Sequence, residues 1–111
     1  MIEKIIRDYL LTVLSVPVYI EVPPNPPDSY VEIERTGGGV DEHIRNAQVV
    51  VACYGPTMLE AATLQERVLE TLPDIATGEK VSACYVNSEY NATDTTTKRY
   101  RFEAYFNIVY Y

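Results

Sequence analysis

Tryptophan is absent from this 111-residue chain; phenylalanine occurs twice, cysteine twice, glycine five times and histidine once. Each scarcity closes a route. Cys53 and Cys84 are too few for a disulfide framework and stand at no metal or redox spacing. Both read as small buried groups in strands, kept as reduced thiols. His43 is the single imidazole, and although Asp41 and Glu42 stand beside it, no nucleophile-elbow sequence accompanies them. Those three residues match no defensible ion-binding loop either, so neither a metal nor a cofactor is expected. The 16 acidic residues offer many candidate pairs for acid–base work, but none stands in an apolar stretch that would raise a carboxyl pKa. The expected protein is not an enzyme.

Long apolar runs are missing as well, and no segment is long enough to span a bilayer. Lys4 and Arg7 precede the apolar stretch Tyr9 to Val18 in the manner of a signal peptide. Glu3 and Asp8 interrupt that pattern and no small-x-small site follows, so an amphipathic helix is expected there. Asn91-Ala92-Thr93 matches a glycosylation acceptor by pattern alone. Positive charge is in deficit: the formal net charge is −7, which argues against a surface built to grip nucleic-acid phosphates or an anionic membrane. It is compatible with a ring through which DNA slides, because like charge discourages sticking.

What is abundant is tyrosine, ten residues of it. Tyrosine offers apolar area with a polar tip, which suits a surface that is wet alone and buried in a complex; it is also a good strand former. The ordinary apolar share argues for a folded chain, and the length for one domain over residues 1–111.

The stretch from Ala47 to Leu72 organises the rest. An apolar strand, Asn46 to Tyr54, carries Val49-Val50-Val51-Ala52-Cys53, apolar on both faces as at the middle of a sheet. Tyr54-Gly55-Pro56 breaks it. A helix follows, with Met58, Ala61, Ala62, Leu64, Val68, Leu69 and Leu72 on one side and Glu60, Thr63, Glu66, Arg67, Glu70 and Thr71 on the other. Pro56 is expected in its first turn and Pro73 at its end. Gln65 lies in the apolar stripe, either as a buried amide bonded to backbone or as a contact with another subunit.

Before that stretch, residues 2–14 form a first helix with Ile2, Ile5, Ile6, Tyr9, Leu10 and Val13 inward. Leu11 and Leu14 lie off this stripe and need a second contact or a partner chain. Val18 to Val22 alternates as a short strand. Pro23-Pro24-Asn25-Pro26-Pro27 then makes a stiff extended turn, and Tyr30 to Thr36 is the returning strand. Gly37-Gly38-Gly39 opens a polar loop reaching about Asn46. No helix start or lysine follows those glycines, so phosphate binding is not expected. After the middle helix the chain turns near Gly78. Val81 to Val86 is a strand, Asn87 to Lys98 a second long loop, and Arg99 to Tyr110 the last strand. There Tyr100, Phe102, Ala104, Phe106, Ile108 and Tyr110 alternate with Arg101, Glu103, Tyr105, Asn107 and Val109.

The order α-β-β-β-α-β-β predicts an α+β fold: a single, mostly antiparallel sheet of about five strands with both helices packed on one face. The middle helix is expected to make the only crossover, right-handed if the strands it joins are parallel neighbours. The opposite face, with Tyr19, Glu21, Arg101, Glu103 and Tyr105, looks made for another protein.

Several stretches resemble the small tail-completion, or tail-terminator, proteins of long-tailed bacteriophages, particularly those infecting Gram-positive bacteria. They are Val16-Pro17-Val18-Tyr19, Glu21-Val22-Pro23 with Pro26-Pro27, Tyr30-Val31-Glu32-Ile33-Glu34-Arg35-Thr36-Gly37-Gly38, Glu60-Ala61-Ala62, Asn87-Ser88-Glu89-Tyr90-Asn91 with Asp94, and Arg99-Tyr100-Arg101-Phe102. Together they cover nearly the whole chain, and each is short and structural. The resemblance implies a virion assembly protein made in the bacterial host cytoplasm and placed at the junction of head and tail. It implies a homo-oligomeric ring, hexameric, that caps the tail-tube protein, ends tube polymerisation and meets a head-side connector protein while DNA passes without specific binding. A connector component nearer the capsid is the alternative within phage assembly; a host interaction domain or a small hydrolase are the alternatives outside it. Loop position and charge nominate Arg35, Asp41, Glu42, Arg45, Tyr90 and Asp94 as interface residues.

Overall fold

The computed structural model describes residues 1–97 and 99–111. The chain runs through helix α1 (Ile2–Val13), strands β1 (Val18–Tyr19), β2 (Tyr30–Asp41) and β3 (Ile44–Gly55), helix α2 (Met58–Thr71), a 3-10 turn over Leu72–Thr77, and strands β4 (Val81–Asn91) and β5 (Tyr100–Tyr110). One five-stranded sheet results, in the order β1-β2-β3-β5-β4. All pairs are antiparallel except β1 with β2. Both helices lie on one face, as the alternation of apolar residues predicts.

The core forms where these patterns meet. Ile2, Ile6 and Leu10 project from α1 one turn apart, and Ala61, Gln65 and Val68 from α2. Beneath them lie Val31 and Ile33 of β2, Val49, Val51 and Cys53 of β3, and Ala104, Phe106 and Ile108 of β5. Each large side chain buried this way contributes roughly 1.5–3 kcal/mol. Thr57 caps α2: its hydroxyl oxygen accepts from the Glu60 N–H (3.2 Å), and the hydroxyl donates to the Glu60 carboxylate (3.1 Å). Pro56 therefore precedes the cap rather than sitting in the first turn. The α-helix stops at Thr71 with Leu72 as its C-cap, so Pro73 stands just past its end as expected. The chain tightens into the 3-10 turn, whose start tolerates a residue without an N–H. Met58, placed in the apolar stripe by periodicity, is half exposed.

Three connections differ from expectation. The Gly37–Asn46 segment is not a loop. β2 and β3 pair along their whole length, and a two-residue turn at Glu42 and His43, both at positive φ (47° and 71°), joins them. That backbone suits the right-handed strand twist. The glycines are absorbed by a bulge between Arg35 and Gly37, and Gly38, at φ 150°, lies so close to the Asn46 carbonyl that no Cβ would fit. The second expected loop, from Asn87, is strand as far as Asn91, because β5 supplies a partner; Lys98, its expected end, lies outside the described residues. The proline run is not a hairpin turn. β1 is parallel to β2, so residues 20–29 form a crossover, and four prolines without N–H groups cannot zip a ladder there. The helix α2 is thus not the only crossover. It joins β3 to β4, which run parallel but are separated by β5.

Three substitutions test this packing. A Cβ on Gly55 would come within 2.7 Å of the Ala61 backbone nitrogen, whereas one on Gly39 would meet open space. Gly55→Ala should lower stability by about 1–3 kcal/mol in urea unfolding, and Gly39→Ala should leave the midpoint nearly unchanged. Gln65 is buried, as expected, but its side-chain oxygen has no hydrogen-bond partner among the described residues, so that oxygen does not make the expected bond to backbone. Gln65→Met, similar in volume, should raise stability by about 1 kcal/mol in the same assay.

Candidate interaction surface

The face of the sheet away from the helices carries an ordered aromatic and polar cluster. Strand parity places Tyr30 and Glu32 of β2, Ala52 and Tyr54 of β3, and Arg101 and Glu103 of β5 on this side. Tyr30 and Tyr54 are directly opposed in the register, and their rings stack at 4.3 Å and 13°. Tyr19 meets Tyr30 edge-on at 5.9 Å. Such pairs add about 0.5–1.5 kcal/mol beyond their buried area.

Two guanidiniums close over the stack. The Arg99 and Arg101 carbons lie 5.0 and 5.3 Å from the Tyr54 ring centre, within cation–π range. Arg99 donates to the Tyr30 hydroxyl. Arg101 donates to Glu103 at 2.7 Å, while its Nε is buried without a partner among the described residues. Tyr54 donates to Glu32 at 3.3 Å. Burial pushes the Tyr54 phenol up to about 12, and the neighbouring Glu32 adds to the shift while Arg101 opposes it. With Val22, Pro23, Pro24 and Pro26 as one wall and Ala92 and Asp94 as another, these groups enclose a recess of about 450 Å3. The stacked rings of Tyr30 and Tyr54 are buried beneath it, 2% and 6% exposed, so what the recess offers to solvent is the exposed Arg99 and the half-buried Arg101, held by their neighbours.

Further along the same face, Tyr90 of β4 donates to the Tyr105 hydroxyl (2.9 Å), with the rings 5.6 Å apart. At the turn beyond β4, the Asp94 carboxylate accepts from the Thr96 and Thr97 N–H groups, which hold its pKa below the usual value.

The six residues nominated from sequence do not converge. Asp41, Glu42 and Arg45 stand at the tip of the β2–β3 hairpin, all exposed. Arg35 lies at the bulge, its Nε donating to the Gly37 carbonyl at 3.1 Å. Tyr90 and Asp94 lie at the opposite end, and Asp94 alone lines the recess. Arg99, Tyr30, Tyr54 and Glu32 were missed as site residues. The available signal was parity: Tyr30, Glu32, Ala52 and Tyr54 share a side once the hairpin register is known. Among the described residues no group of three His, Cys, Asp or Glu is placed to hold a metal. Cys53 and Cys84 are unbonded, and burial pushes both thiols up to about 12, which keeps them protonated at neutral pH.

No protein-family model matches this chain, and no curated protein matches its sequence. Among the described residues no helix is long and apolar enough to cross a membrane.

The raised Tyr54 pKa has a stability consequence. A phenol that holds its proton more tightly when folded contributes stability that is complete below about pH 10 and is lost as pH rises through about 12. Urea midpoints should fall over that window. In Tyr54→Phe the fall should be smaller but not abolished, since Cys53 and Cys84 titrate late for the same reason.

Proposed function

We propose that this chain is a non-enzymatic assembly protein of a long-tailed bacteriophage: it forms a ring on the finished end of the tail tube, stops further tube subunits from adding, and offers the head side a joining surface. The resemblance of its short motifs to tail-terminator proteins points this way. The observation that carries the reading is the asymmetry of the fold. Helices cover one face of the sheet only, and the other carries the exposed Arg99 and Tyr90 and the half-buried Arg101 and Tyr105 around a buried Tyr30–Tyr54 stack. Among the described residues the outer edge of β4 has no partner strand, nor does β2 beyond Glu32. A ring needs two unlike patches on each subunit, and a tube cap needs a third for the tube. Unpaired strand edges and an aromatic polar face provide such patches. The acidic balance suits a channel that passes DNA without holding it.

Addition of the purified protein to polymerising tail-tube subunits should give short tubes bearing a terminal ring in electron micrographs. Tubes that grow without limit at equimolar protein would overturn the proposal.

A further inference from the structure

Among the exposed apolar features of the described residues, two lie at opposite ends of a molecule 45 Å long. The first is the tip of the β2–β3 hairpin. Val40 is 69% and Ile44 49% exposed there. Val40 pairs with Arg45 and Asp41 with Ile44, so alternation puts Val40 on the helix side and Ile44 on the other. The tip is a thin wedge on which each flank pairs one apolar side chain with one charge, Val40 with Arg45 and Ile44 with Asp41, and Glu42 stands in the turn at its point. The second feature is a groove of about 720 Å3 between the end of α1 and the first half of α2, lined by Val13, Leu14, Val16, Leu59 and Leu64. Leu59, 76% exposed, stands at its rim. Its size falls in the usual range for binding clefts.

The two features match in charge as well as in polarity. Arg67 lines the groove, and its nearest carboxylate, Glu70, is 4.0 Å away between largely exposed side chains, which leaves the guanidinium available to an incoming acid. Glu60 also lines the groove but is engaged by the Thr57 hydroxyl. Arg45, paired with Val40, shares that flank, while Asp41 shares the flank of Ile44 and Glu42 lies in the turn, so the acids lead the basic group into the groove. The wedge cannot fill its own groove: β3 separates them by roughly 30–35 Å, at about 3.3 Å per residue.

We propose that the hairpin tip of one copy seats in the α1–α2 groove of a second copy, with Val40 and Ile44 against the groove's leucines and Asp41 and Glu42 towards Arg67. The contact is heterologous, head to tail, and repeats around a closed ring. It rests on the ring-forming part of the proposed function for its choice of partner.

Paired cysteine variants test it. Val40→Cys and Leu59→Cys are both at exposed positions, and the native thiols are buried and silent. Mixed and oxidised, the two single variants should give a covalent dimer far in excess of either variant alone, with no change in urea midpoint. Arg67→Glu should weaken self-association, followed by sedimentation, about three- to tenfold, and the Asp41→Lys, Glu42→Lys double change should restore it. Assemblies that form without the mixed covalent dimer would overturn the contact yet leave tube capping, which the tube-length assay tests separately. A monomer at every soluble concentration, or Cys-linked dimers only with an added tube protein, would also overturn it.

Discussion

The structure depends on one strand being buried on both sides. β3 lies between β2 and β5, and from Val49 to Tyr54 every residue is nearly inaccessible to water. Helices can cover only one of its faces. Val50, Ala52 and Tyr54 point to the other, and that requirement explains the second layer: the stacked tyrosines, the two arginines laid across them and the proline-rich crossover that walls them in. The candidate interaction surface is therefore built from the groups that keep the centre of the sheet dry. Its side chains are held by packing, so a partner meets them without a large ordering cost.

The insertion of β5 between β3 and β4 has a related effect. It buries the strand with the strongest alternation and pushes β4, with the exposed Tyr85, Val86 and Tyr90, to the rim. Two bulges, near Ser82 and near Asn87, bend that rim. Bulged edges pair less readily with arbitrary strands, which leaves contact to partners whose shape follows the bend.

The parts of the fold legible in the sequence were those set by local periodicity facing a common core. The helical stripes of α1 and α2, the two-sided apolar run of β3 and the alternation of β5 all reappear. What was not legible depended on a distant partner. Gly37 to Gly39 read as a loop because glycine has poor strand propensity, yet β3 fixes the register and a bulge takes up the irregularity. Ser88 to Asn91 read as a loop because both of its faces are wet. The parallel course of β1 had no local signal. The interface residues chosen by charge and loop position fell at two ends of the sheet, whereas the convergent cluster was carried by strand residues whose common side emerges only from the pairing.

The proline crossover also bears on how assembly ends. A strand rim with free donors invites the next chain to add by backbone bonding, and such growth has no intrinsic stopping point. At the beginning of β2 that rim is taken by a two-residue strand, and the segment that follows this strand carries four prolines, whose nitrogens have nothing to give. Beyond Tyr19 the crossover cannot extend that edge by backbone bonding at its prolines, whatever the concentration. For the proposed ring, which closes after a fixed number of copies, such a boundary made mute by chemistry is an advantage.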